Sequence, residues 1–170
     1  MNELIAEFKL ESQEIISELL NELNELEEDL SRVAELEKFG QKVDRIMGGA
    51  TSLAMSFDQN AFLVQIGSCA GLCKTLGYRG SQIRDNEALS GAVVAVLLEM
   101  TEILKVMVDL CGTPQENKFD LKSKSLQILM DRLKWLSNQF SADIRSSLSM
   151  DSRPVSSPVP SSSDESIIQS

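Results

Sequence analysis

The chain has 170 residues, a formal net charge of −10, 42% hydrophobic residues and no histidine. That length fits one compact domain plus a tail, and a sequence rich in Leu, Glu, Ala and Met but poor in aromatics favours helices. The acidity argues against nucleic acid or an anionic membrane as partner, because a phosphate-binding surface needs Lys and Arg, and the missing histidine excludes Ser-His-Asp and Cys-His catalysis.

The first predicted helix runs from about Glu3 to Leu30. Leu4, Phe8, Ile15, Leu19, Leu23, Leu26 and Leu30 recur at helical spacing. Residues 1–31 hold ten acids against one base, Lys9, which is nearly the whole charge imbalance. These acids fit a solvated outer face or an electrostatic guide for a basic partner. The start, Met-Asn-Glu-Leu-Ile-Ala-Glu-Phe, lacks the basic and apolar regions of a signal peptide. The stretch Ala92 to Leu98 is too short to cross a bilayer, which takes about 20 apolar residues. A cytoplasmic location is expected.

The second helix is expected from about Leu36 to Met55, with Phe39, Val43, Ile46, Ala50 and Leu53 on its buried line. Asp44, Met47, Gly48 and Thr51 fall on a different line. Two adjacent glycines, Gly48 and Gly49, cost about 1 kcal/mol each against Ala in a helix. They are best explained by a close neighbour, either another helix of this chain or an external protein.

Asp58 is a plausible N-cap for a third helix from about Asn60 to Leu76, with Gly77 as its C-terminal stop and a polar loop from Tyr78 to Asn86. A fourth helix, from about Glu87 to Cys111, is apolar around most of its surface and so needs cover on more than one side. Gly112, Thr113 and Pro114 end it. A fifth helix, from about Leu121 to Ile144 in an additional segment over about 119–145, can supply that cover. Its stripe is Leu126, Leu129, Met130, Leu133, Leu136, Phe140 and Ile144. The alternative is a homodimer through the surplus apolar surface. From Ser146 the sequence turns to Ser, Pro and Asp, and a disordered tail is expected over 146–170. Its Ile167-Ile168 tip is a candidate docking peptide. The domain proper is then 1–145, with its core in 3–111.

Other chemistry finds little support. Cys69 and Cys73 sit one turn apart, but without histidine or a second thiol pair they cannot complete a zinc site. With Cys111 they read as free, buried thiols of a reducing compartment. Gly77-Tyr78-Arg79-Gly80 is not a phosphate loop. No metal and no cofactor is expected.

The most distinctive segment is Val43-x-x-Ile46-x-Gly48-Gly49-Ala50, preceded in helix 1 by Phe8-x-x-Glu11 and the Leu19-Leu20-x-x-Leu23-x-x-Leu26-Glu27 run. It resembles the active helix of histidine phosphotransfer (HPt) domains of the chemotaxis-kinase type, over about residues 3–111. The resemblance implies an all-α fold, an up-down four-helix bundle, here with an extra C-terminal helix. In that family a phosphorylatable His is followed three residues later by Lys. In this chain Asp44 stands at the His position and Met47 at the Lys position. Phosphohistidine chemistry is therefore lost, while docking survives as an expectation. The resemblance implies a non-catalytic adaptor, decoy or inhibitor that binds a receiver domain or a histidine kinase in bacterial two-component signalling. Its expected binding face on helix 2 is Gln41, Asp44, Met47, Gly48 and Thr51. Two readings from other classes stand beside it. One is a receiver-directed phosphatase using Glu18-x-x-Asn21 or Gln139-x-x-x-Asp143; the other is a structural dimeric bundle.

Overall fold

Four of the five helices start at a side-chain cap. The Asn2 side chain accepts from the Leu4 N–H, Asn60 from Leu63, Asn86 from Leu89 and Ser123 from Leu126, at 2.8–3.2 Å. Each bond satisfies one of the backbone donors that a helix start leaves open. The computed structural model describes residues 2–140. The order is α1 (Glu3–Glu28), a 3₁₀ turn (Leu30–Glu35), α2 (Leu36–Ser56), α3 (Ala61–Gly80), α4 (Glu87–Leu110), a second 3₁₀ turn (Pro114–Lys118) and α5 (Lys124–Ser137). No strand occurs among the described residues. None of their helices is long and apolar enough to cross a membrane.

α1 to α4 close a ring in which α1 packs on α2 and α4, and α3 on α2 and α4. Neighbours run antiparallel, as the side-chain pairs record. Arg45 reaches Glu11, whereas Lys42, three residues earlier on α2, reaches Glu18 and Glu22 further along α1. Between α2 and α3, Gly40 faces Tyr78 and Thr51 faces Gly67. Leu19, Leu23, Phe39, Ile46, Ile66, Leu97, Met100 and Leu104 fill the interior and are almost completely buried. Each such side chain contributes roughly 1.5–3 kcal/mol by leaving water.

α5 packs on α3 and α4. Leu126, Leu129, Leu133 and Leu136 are its buried stripe. Phe62 meets Phe119 edge-on at 5.7 Å, and Arg79 Nη1 donates to the Ser137 carbonyl at 2.8 Å. The all-round apolar character of α4 thus has its physical account. One side faces the ring and another faces α5.

Several sequence expectations are corrected. Asp58 does not cap α3. Asp58 and Gln59 both have positive φ in the turn, and Asn60 is the cap. Gly77 does not stop α3, which continues to Gly80. A β-carbon on Gly77 would lie 2.9 Å from Phe39 Cδ1, so this glycine lets α2 and α3 approach. Leu30 belongs to the 3₁₀ turn, not to α1. α5 is shorter than its apolar pattern suggested, ending at Ser137. Gly112 does end α4, with φ 75° just beyond the cap residue Cys111, a left-handed position that favours glycine. Ile144, the 146–170 tail and the Ile167-Ile168 tip lie outside the described residues.

Candidate docking face on helices α2 and α3

α2 and α3 meet along a seam built from small residues. Gly40, Gly67, Gly71 and Gly77 all stand at this contact, each with a side chain of the other helix close to where a β-carbon would be. The pairs Gly40/Tyr78, Asp44/Lys74, Met47/Gly71 and Thr51/Gly67 follow one another at spacings of three and four, one turn per step. That repeat places Asp44, Met47 and Thr51 of α2 beside Lys74, Gly71 and Gly67 of α3 on one surface.

The two glycines of the distinctive segment have different reasons. A β-carbon on Gly49 would sit 2.9 Å from the Phe8 ring, so Gly49 makes room for α1. A β-carbon on Gly48 would meet nothing within 4 Å. Gly48 faces outward and its lack of a side chain has no internal cause.

The five residues expected on the helix-2 face lie as follows. Gln41, Gly48 and Thr51 are exposed, and Asp44 and Met47 are half-buried. The Met47 sulfur is 3.3 Å from where a Gly71 β-carbon would stand, so the thioether lies across α3. Among the described residues, α5 packs on α3 and α4 rather than along α2. Asp44 is not a lone carboxylate. Its Oδ1 is 2.9 Å from Lys74 Nζ. Lys74 was missed in the sequence because it is thirty positions away. The signal lay in the Gly67, Gly71, Lys74 spacing, which mirrors that of Asp44, Met47 and Thr51.

Exposed Arg45 adds a charge beside this ion pair, one turn before Gly48, but beyond Met47 charge is sparse. From Met47 to Cys73 only Asp58 is charged, although a quarter of the whole chain is charged. Met55 is 70% exposed and Val64 40% exposed. Helical spacing puts Met55 one turn beyond Thr51, and Val64 one turn before Gly67. The face therefore combines exposed Met and Val, small polar residues and a notch at Gly48, with the Asp44–Lys74 pair at one end. Charge depletion in the centre and Met enrichment are the compositional marks of a protein interface.

The other flank of α2 is charged and tied down. Lys42 bonds Glu22 and Glu18 of α1, and these two carboxylates raise its pKa. Arg45 bonds Glu11. Part of the α1 acidity is thus neutralised within the molecule. Glu18, a member of one phosphatase-type pair, is bound to Lys42 at 3.0 Å. In the other pair, Gln139 Nε2 donates to the Trp135 carbonyl at 3.1 Å, and Asp143 lies outside the described residues.

The three thiols are buried. Burial pushes Cys69 and Cys111 up to about 11 and Cys73 well above the ordinary thiol value. Such thiols are poor nucleophiles and poor metal ligands. Among the described residues no group of three His, Cys, Asp or Glu side chains could hold a metal ion. No family model matches the chain, and no curated protein or solved structure matches it.

Proposed function

We propose that this protein is a non-catalytic, HPt-like adaptor of bacterial two-component signalling. It docks a receiver domain or a histidine kinase through the outer face of α2 and α3. The observation that carries this reading is the exposed, charge-poor surface from Gly48 towards Met55 and Val64, bounded by Arg45 and the Asp44–Lys74 pair. The antiparallel ring of four helices and the position of Asp44 in the Gly-Gly-Ala segment support the resemblance stated above. Asp44 takes the place of a phosphoacceptor His, and its charge is already partnered by Lys74. Met47 stands in place of the helix-2 Lys that would offset a phosphate. The exchange makes the surface more apolar, which favours lasting association over transient group transfer.

Gly48→Arg tests the proposal. Nothing lies within 4 Å of the position a β-carbon would take, so the helix accepts the side chain while the face acquires bulk and charge. Purified receiver domains and kinase domains from one bacterial two-component repertoire would be titrated against wild type and variant by calorimetry. Binding by wild type and at least tenfold weaker binding by a variant with unchanged circular dichroism supports the adaptor. Equal binding moves the interface elsewhere, and no binding to any such domain overturns the reading.

A further inference from the structure

At the end of the bundle away from the α2–α3 turn, the 3₁₀ turn after α1 and the α3–α4 loop enclose an open cavity of about 710 Å³. Four carboxylate residues line it: Glu28, Asp29, Asp85 and Glu87. No Lys or Arg lines it. Arg32, nearby in sequence, is held by Glu35 at 2.6 Å and Glu25 at 3.7 Å. Arg84 lines the adjoining cavity instead. Leu30, Val33 and Ile83 supply apolar wall.

Acids alone would mean only a solvated rim. The second observation is Ser90, also in the lining. It is only 3% exposed. Its backbone N–H bonds the Asn86 carbonyl, and among the described residues its hydroxyl makes no hydrogen bond. A buried hydroxyl left without a partner is destabilising, and Ser90 lines a cavity into which a donor or acceptor can be brought.

The carboxylates are too dispersed for a metal, since among the described residues no three acidic side chains could hold an ion together. Their spread, the apolar wall and the volume suit a larger cation, in the size range of small-ligand sites. We propose that this cavity binds an organic cation carried on a hydrocarbon stem, with an ammonium or guanidinium head. The head sits among Asp85, Glu87, Glu28 and Asp29, the stem lies along Leu30 and Ile83, and the Ser90 hydroxyl accepts from an N–H. Both a free polyamine and an arginine side chain of a partner carry this chemistry. The proposal does not depend on the docking face of α2 and α3, which lies elsewhere on the bundle.

Calorimetric titration of the full chain with spermidine and with N-acetyl-arginine amide tests it. Saturable one-site binding of at least one probe is expected. Spermidine alone points to a free polyamine, and the arginine derivative as well points to a partner side chain. Asp85→Asn with Glu87→Gln should weaken binding at least tenfold. Asn tolerates the φ of 52° at position 85. Glu7→Gln with Glu14→Gln removes the same charge from exposed positions of α1 outside the cavity, and should change binding less than twofold. Ser90→Ala should weaken binding severalfold without lowering the unfolding midpoint. Absence of saturable binding to both probes overturns the proposal. So do equal losses in the two double variants, which would mean diffuse counter-ion attraction, and so does wild-type affinity in Ser90→Ala.

Discussion

Asp44 of α2 and Lys74 of α3 form a 2.9 Å ion pair across the α2–α3 seam, one turn before the outward-facing Gly48. The two side chains are 44% and 33% exposed. Solvent at that exposure screens most of their attraction, and such pairs contribute about 0–1 kcal/mol. The pair therefore matters more for the charge pattern of the face than for holding α2 to α3. Lys74→Met should lower the unfolding free energy in urea by less than about 1 kcal/mol. The loss should shrink further at high salt. A loss several times larger would show the pair to be a structural tie.

Gly48 and Gly77 should respond oppositely to Ala. At Gly48 the new methyl meets nothing within 4 Å, so Gly48→Ala should stabilise by up to about 1 kcal/mol through helix propensity. At Gly77 the methyl would approach Phe39 Cδ1 to 2.9 Å and the Leu36 carbonyl to 3.4 Å. Phe39 is 1% exposed and cannot swing away. Overpacking costs about 1–3 kcal/mol, which outweighs the propensity gain. Urea denaturation midpoints moving in opposite directions would establish the difference.

Lys9, the single base among the acids of α1, crosses to the end of α4. Its Nζ donates to the Asp109 carbonyl at 2.6 Å and lies 3.4 Å from the Cys111 carbonyl. A cation here satisfies terminal carbonyls and suits the helix dipole. Lys9→Met keeps the stem and removes the donor, and should cost about 1.5–3 kcal/mol. Hydrogen exchange should show the loss of protection concentrated in the last turn of α4.

The thiols give the protein an alkaline limit. The folded state raises Cys69 and Cys111 from 9.0 to about 11 by burial, and Cys73 also upward. The unfolded chain releases these protons first as pH rises. Their contribution is therefore complete below about pH 9 and is lost progressively towards pH 11. Unfolding midpoints should fall across that window, and replacing the three cysteines by alanine should flatten the fall. At pH 8 a disulfide reagent should label the native chain far more slowly than the urea-unfolded one.

Much of the helical pattern was legible because it is local. Gly112 and the apolar stripes act on their own or the next turn, and α1, α2 and α4 lie within a residue or two of where their periodicity puts them. Gly77 misled for a related reason. A glycine near the end of an apolar run reads as a stop, and only the nearness of Phe39 reveals it as a packing residue.

The sequence by itself determined the all-helical class, the acidity concentrated on α1, the absence of histidine chemistry and the separation of Gln41, Asp44, Met47, Gly48 and Thr51 from the buried stripe of α2. Helical periodicity and side-chain chemistry are enough for those. Only the tertiary structure decided that Lys74 neutralises Asp44, that Gly49 serves Phe8 while Gly48 serves no internal contact among the described residues, and that α5 packs on α3 and α4. Each of these depends on the register of one helix against another. That register is set by the summed packing of the whole core, which no local stretch of sequence contains.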